Sequence, residues 1–196
     1  MSAPKAPLAH IIRCQPGRSF SDVAQSHHAA MEYKIDFQNA DDGTGLCLIL
    51  WSGANSFKAS LEAGSFLDRQ RILQRRVASS VHMDVTGCDS FEECTLADAK
   101  AILMVTGVPQ DESAGLGEAF ASIPKTVGKL SFKSTAFESG KKVITGCYCF
   151  ASQQDMDEYV ASDAFATARA EAPWEADGVK IERLVLPTPI ASAAAA

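Results

Sequence analysis

The feature that most constrains the fold of this chain is a correspondence between its two halves. The first 98 residues carry 9 basic and 12 acidic side chains, and the last 98 carry the same numbers. Landmark residues recur at a similar spacing, because Pro16 and Pro109 are 93 positions apart and Phe66 and Phe165 are 99 apart. Solenoid repeats have periods of about 20–50 residues, which is much shorter. We therefore interpret the chain as a duplicated domain.

Apolar alternation, turn residues and helix caps predict the same order of elements in each half. In the first half we expect strands over 8–14, 34–39, 46–51 and 81–85, and helices over 21–33 and 55–77. In the second half we expect strands over 101–105, 129–137, 143–150 and 179–186, and helices over 113–123 and 153–171. Each half then reads β-α-β-β-α-β, the split βαβ of the ferredoxin-like fold.

A unit of this kind leaves one face of its sheet without helices, and that face must be covered. We expect an α+β fold in which two tandem ferredoxin-like units pack as an intramolecular pseudo-dimeric α/β barrel. The expected units span 8–87 and 100–187, with an acidic linker at 88–99 and a flexible tail at 188–196. The chain supplies its own second copy, which permits a monomer, while exposed sheet edges would favour a homodimer.

Composition excludes several classes of function. The chain of 196 residues is 46% hydrophobic with a net charge of -6, and it has no basic block of the kind that nucleic-acid binding requires. No apolar run approaches the roughly 20 residues that span a bilayer, so no membrane insertion is expected. The six cysteines are irregularly spaced and the first residues do not form a secretory signal. We expect a soluble protein of the reducing cytoplasm.

The third strand and second helix of the first half carry a recognisable motif. Residues 48–52 read Leu-Ile-Leu-Trp-Ser, Phe57 follows shortly after, and Phe66 opens a short helix after Gly64-Ser65. A similar pattern surrounds Phe150 and Phe165 in the second half. This pattern resembles the antibiotic-biosynthesis-monooxygenase family of dimeric α/β-barrel proteins, and the resemblance extends over both halves.

The resemblance also bears on cofactors, because the family includes cofactorless quinone-forming oxygenases and haem-degrading monooxygenases. Haem-degrading members place an axial His four residues after the Phe, where this chain has Gln70 and Arg169. An amide oxygen is a weak iron ligand, and a guanidinium has no lone pair to donate. We therefore expect no cofactor, with haem kept as an alternative that the absence of the axial His disfavours. No metal site is expected.

The resemblance implies a cofactor-independent monooxygenase that binds a small aromatic or polyketide-like substrate in a cleft between helices and sheet. Such a substrate forms the reactive carbanion itself, so the protein needs a shaped apolar pocket and a base. The residues expected to contact substrate are Trp51, Phe66, Gln70, His27, Met31, Phe150, Phe165 and Arg169. The alternative for the aromatic members is that they simply fill the core.

Two histidines are candidates for the catalytic base. His28 precedes Glu32 by four positions, a spacing that on a helix would orient its imidazole. His10 stands on the first predicted strand, near the place where several relatives keep a polar catalytic group. An imidazole titrates near neutral pH and suits this task. The alternative at both positions is a histidine with ordinary hydrogen bonds or solvent contact.

Two other kinds of function remain open from the sequence. The first is a non-catalytic ligand-binding or assembly protein that retains the α/β barrel, which the missing axial histidines would allow. The second is a cyclase or isomerase of the same superfamily, which would act without oxygen.

Overall fold

The computed structural model describes residues 8–14, 31–51, 77–88, 98–110, 120, 123–135, 142–175 and 179–186. Only the backbone is described at 8–10, 31–35, 49–51, 77–88 and 130–135. The elements within these residues are β1 (Leu8–Cys14), β2 (Met31–Asn39), β3 (Gly45–Trp51), β4 (Val77–Cys88), β5 (Ala101–Gly107), β6 (Thr126–Thr135), β7 (Lys142–Phe150), α1 (Gln153–Val160), α2 (Asp163–Glu171) and β8 (Lys180–Val185).

The start of β2 corrects one sequence-based prediction. Residues 31–33, including Met31, were expected to end a helix, but they form the first part of β2. Apolar Met31, Tyr33, Ile35 and Phe37 alternate with polar residues, and a period of two is the signature of a strand. The prediction of a helix is therefore wrong at 31–33, and the rest of the predicted segment lies outside the described residues.

The last helical segment is also divided. The sequence predicts one helix over 153–171, whereas the structure has α1 and α2 with a break between them. Ser162 has an extended backbone, with φ -86° and ψ 154°, and its side chain accepts a hydrogen bond from the backbone N–H of Phe165. Ser152 caps α1 in the same way, by accepting from the N–H of Asp155. An N-cap serine begins a new helix, so the second cap explains the break.

The eight strands close into one antiparallel barrel. Each half contributes a four-stranded sheet in which the strands lie in the order fourth, first, third, second: β4-β1-β3-β2 and β8-β5-β7-β6. The sheets join where β2 pairs with β8 and where β4 pairs with β6. The expected α+β class and the closure of two sheets into a barrel are confirmed, while the origin of the halves by duplication stays a prediction.

The strand registers of the two halves agree in detail. Trp51 lies opposite Met31, and Phe150 lies opposite Thr126. In both halves the register shifts immediately after that pair. The sequence motif had paired Trp51 with Phe150, and the backbone places these two residues at equivalent positions.

The junction of β2 with β8 is short and is reinforced by side chains. Its register pairs join Gln38 to Val185 and Asn39 to Leu184. Arg183 forms ion pairs with Asp41, in the turn after β2, and with Asp157 of α1 at 3.0 Å. Its backbone carbonyl also accepts a hydrogen bond from the N–H of Ala40 at 2.8 Å. One arginine thus links the first-half hairpin to a strand and a helix of the second half.

Most buried side chains of the described residues fall into two clusters, which lie on opposite faces of the sheet. One fills the barrel interior and draws on both halves, with members such as Ile11, Phe37, Ile102 and Leu184. The other lies between the second-half sheet and its helices, and it is rich in aromatic rings. Because strand side chains alternate between faces, neighbouring residues of β5 and β7 belong to different clusters.

Gly107 tests how tightly the outer cluster is packed. A Cβ atom at this position would lie 2.5 Å from Cδ2 of the Trp174 ring. We expect Gly107→Ala to lower the free energy of unfolding by about 1–3 kcal/mol through overpacking, as measured by urea denaturation. In a Trp174→Leu background the same substitution should cost clearly less, because the ring is gone. An equal cost in both backgrounds would contradict this contact.

Candidate functional site

The protein's own side chains fill the space between the second-half sheet and its helices. Met156 and Tyr159 of α1, with Phe165 and Ala168 of α2, are buried in this cluster. Phe150 is 0% exposed, and its ring centroid lies 6.4 Å from that of Tyr159. Tyr159 meets Phe165 edge-on with 5.5 Å between centroids. Such pairs stabilise the packing beyond the area that they bury.

A second group of rings completes the packing of this space. Phe120 stacks on Trp174 with centroids 5.3 Å apart and 2° between the ring planes. The Tyr148 hydroxyl donates a hydrogen bond to the backbone carbonyl of Phe120 at 2.8 Å. Burial raises the pKa of Tyr148 above its usual range, so the phenol keeps its proton at neutral pH. Tyr148 is therefore a structural donor, and the rings fill the space between the second-half sheet and its helices.

The outer face of the first-half sheet carries a different set of side chains. Phe37 and Leu46 belong to the barrel interior, so the alternating residues Asp36 and Cys47 face outward. Cys47 lies opposite Asp36 on one side and opposite Ile12 on the other. Ile12 and Cys47 are buried, and Asp36 is half-buried. This face thus combines a carboxylate with apolar neighbours.

The barrel interior contains an ion pair that crosses it. Arg13 donates from Nε to Oε1 of Glu182 at 2.9 Å and from Nη2 to Oε2 at 2.5 Å, which is a bidentate geometry. Lys180 Nζ donates to the same Oε1 at 2.9 Å. Arg13 lies on β1 and Glu182 on β8, which are not neighbours in the sheet. The pair therefore spans the interior of the barrel.

The environment of Glu182 decides its charge. The residue is 4% exposed, and burial by itself raises the pKa of its carboxyl group. The hydrogen bonds and positive charges of Arg13 and Lys180 outweigh this and lower the pKa below its usual value. Glu182 is therefore ionised at neutral pH and is a weak proton acceptor, so its role is electrostatic.

The described residues offer no metal centre, since none of their His, Cys, Asp and Glu side chains gather in groups of three or more. Cys147 and Cys149 alternate along β7, and both pack in the barrel interior with 0% exposure. In the same described part of the chain, no helix has the length and apolar character needed to cross a membrane.

Comparison by sequence finds no relatives for this chain. No protein-family model matches it. No curated protein matches it either.

Comparison by structure finds solved proteins that resemble nearly the whole chain in fold. An anthrone oxidase-like protein superimposes with a TM-score of 0.65 and 14% identity, over 96% of this chain and 94% of its own. A candidate monooxygenase from Fusobacterium nucleatum superimposes with a TM-score of 0.58 and 10% identity, over 95% of this chain and 94% of that protein. A second candidate monooxygenase, from Lactobacillus acidophilus, superimposes with a TM-score of 0.52 and 11% identity, over 92% of this chain and 94% of that protein. The chain has the dimeric α/β-barrel fold. At such low identity the likeness concerns the fold alone.

Three of the residues expected to contact substrate lie in the second half of this α/β barrel. Phe150 on β7 and Phe165 on α2 are brought together in the outer aromatic cluster. Arg169, in the last turn of α2, is exposed and lies apart from that cluster. A substrate-binding role for these three residues remains a prediction.

Three further candidates have a backbone position in the first-half sheet. Trp51 ends β3 and lies opposite Met31, the first residue of β2. His10 of β1 lies between Ile49 and His82 in register. The strands therefore bring Trp51 and Met31 to the same end of the sheet, two positions along from His10. His27, His28, Phe66 and Gln70 lie outside the described residues.

Sequence reasoning missed the polar groups that the structure shows at both faces of the sheet. The alternation in β2 contained a signal for Asp36, because apolar residues at 35 and 37 place residue 36 on the other face. No local pattern indicates the pair of Arg13 and Glu182, which are 169 positions apart.

The ion pair in the barrel predicts a pH dependence of stability. The pKa of Glu182 is lowered in the folded state, so its contribution is present above the unfolded-state pKa and is lost as the pH falls through the folded-state pKa. At neutral pH, Glu182→Gln should lower the free energy of unfolding by about 3 kcal/mol, because it leaves Arg13 without its anionic partner.

Urea denaturation between pH 7 and pH 3 checks this prediction, with Glu171→Gln at an exposed site as the matched control. The difference between wild type and Glu182→Gln should shrink below about pH 4.5, while the control should stay close to wild type throughout. A difference that is independent of pH would contradict the assigned charge state.

Proposed function

We propose that this α/β barrel is a cofactor-independent monooxygenase that binds a small aromatic or polyketide-like substrate between the first-half sheet and its helices. The likeness of the whole chain to an anthrone oxidase-like protein supports the reaction class. Trp51 forms a wall of the pocket in this proposal, and His10 or His28 acts as the base. Phe66, Gln70, His27 and Met31 supply further contacts.

The observation that carries the proposal is the difference in packing between the two halves. In the second half, stacked and edge-on rings fill the space between helices and sheet. In the first half, the equivalent face of the sheet presents the half-buried carboxylate of Asp36 beside buried Cys47 and Ile12. An apolar surface with a few polar groups is typical of a small-molecule site. This supports a single working site in the first half.

The chemistry requires no redox group from the protein. A base removes a proton from an activated methylene carbon of the substrate, and the resulting carbanion gives its electrons to molecular oxygen. A carbon–oxygen bond forms, the oxygen–oxygen bond breaks, and the methylene becomes a carbonyl while the second oxygen atom leaves as water. An imidazole suits the first step because its pKa lies close to neutral pH.

Oxygen consumption with a panel of hydroquinones and anthrones tests the proposal on metal-free protein. We expect uptake of one oxygen molecule per methylene oxidised, and a rate at least tenfold lower in Trp51→Phe, which introduces at position 51 the residue type found at Phe150. The matched control is Trp174→Phe, the same substitution at the chain's other tryptophan, which should keep the wild-type rate.

The outcome separates this proposal from its rivals. A lack of oxygen uptake with every compound would overturn it and would favour an oxygen-independent cyclase or a non-catalytic binding protein. Equal losses in Trp51→Phe and Trp174→Phe, with both variants folded by circular dichroism, would overturn the assignment of the site to the first half.

A further inference from the structure

One end of the barrel interior gathers two cations and two hydroxyl groups around a buried carboxylate. β1 and β5 run in the same direction, since the strands around the closed barrel alternate in direction. Arg13 and Thr106 both lie near the ends of these strands, and Lys180 opens β8 beside Thr106. Glu182 lies between the two cations, and the Asp42 carboxylate, in the turn after β2, is also close enough to Lys180 to feel its charge.

Equivalent positions in the two halves show that the barrel does not need this arrangement. Arg13 corresponds by register to Thr106, because the two residues lie opposite the equivalent positions Leu46 and Thr145. A barrel position of this kind therefore accepts a neutral threonine. Burying an arginine and a glutamate carries a desolvation penalty that an apolar or neutral pair would avoid. Closing the barrel therefore does not by itself explain why a buried ion pair is present at this position.

The hydrogen bonds of Arg13 to Glu182 involve only two of the three nitrogens of its guanidinium. Nε and Nη2 bind the two oxygens of Glu182, and Nη2 also contacts the thioether sulfur of Met104 at 3.7 Å. Thioether sulfur is a weak acceptor for a charged donor. Among the contacts of the described residues, the two N–H groups of Nη1 have no acceptor. Lys180 uses Nζ for Glu182 and is 57% exposed in its side chain.

Neutral hydroxyl groups lie next to these cations. Thr106 Oγ1 lies 3.0 Å from Thr145 Oγ1, and Thr106 is directly opposite both Thr145 and Lys180 in register. Both hydroxyls are on the interior face, because Met104 and Cys147 at two positions along belong to the interior cluster. An oxyanion would meet two cations and two hydroxyls at this end of the barrel.

We propose that this end of the barrel binds a small oxyanion, a carboxylate or a phosphate group, through Arg13 Nη1 and Lys180 Nζ. Glu182 does not prevent this binding, because both of its oxygens are already held by the two cations and its charge is neutralised by one of them. The carboxylate instead fixes the two donors in place. The site is separate from the outer pocket proposed for the monooxygenase and does not depend on that activity.

Isothermal titration calorimetry with inorganic phosphate and with benzoate, at constant ionic strength, tests the proposal on the full chain. We expect saturable binding of at least one of them with a Kd of about 1 mM. Lys180→Gln should weaken this binding about tenfold, since it removes a charged hydrogen-bond donor from an exposed position without disturbing the core. The matched control is Lys100→Gln, at an exposed lysine just before β5 and therefore at the other end of the barrel.

The two anions distinguish the source of the oxyanion. Binding of phosphate alone assigns the site to phosphorylated compounds, and binding of benzoate alone assigns it to carboxylates. The proposal is overturned if neither anion gives saturable heat up to about twentyfold the expected Kd. It is also overturned if Lys180→Gln, folded by circular dichroism, binds as tightly as Lys100→Gln. Thr106→Val is a second test. It removes the Thr106 hydroxyl group and should weaken anion binding, while valine keeps the branched shape of the side chain.

Discussion

The structure depends on closing two one-sided sheets into a single barrel. Each four-stranded sheet has one apolar face, and here the two apolar faces form one shared interior. Closure requires new strand pairs at both edges, and the pairing of β2 with β8 is short. Arg183 reinforces that edge through Asp41 and Asp157. Ion pairs at partly exposed positions contribute modestly, so the buried interior supplies most of the stability.

Closure also makes the two outer faces independent of each other, because the barrel wall separates them. The second-half face is covered by rings that leave Gly107 no room for a Cβ atom. The first-half face bears Asp36 and Cys47 instead. The same strand order and register therefore support different side chains on the outside of each half. One half can serve as a stable scaffold while the other carries chemistry.

The sequence predicted the strands better than the helices, for physical reasons. A short apolar run predicted β1 with the correct bounds, and the family motif matched Trp51 to Phe150 at positions that the register shows to be equivalent. The predicted helix was wrong at 31–33, although the alternation continues through those residues. The break between α1 and α2 depends on one serine cap, which periodicity does not detect.

The polar groups of the candidate sites were harder to predict because they depend on long-range packing. The partners Arg13 and Glu182 meet only after β8 inserts between β2 and β5. Nothing within a window of neighbouring residues indicates such a contact. The alternation in β2 shows that Asp36 lies on the face opposite Phe37. Only the closed barrel shows that this face is the outer one.

The most direct test of this account uses the chain's two tryptophans, which lie one in each half at Trp51 and Trp174. Protein labelled with 5-fluorotryptophan would be titrated with a hydroquinone or an anthrone under nitrogen and followed by fluorine NMR, with the signals assigned by Trp51→Phe. We predict that the Trp51 signal shifts saturably while the Trp174 signal stays in place. A shift of the Trp174 signal with Trp51 unchanged would contradict the claim that the second half is a filled scaffold and the first half holds the working site.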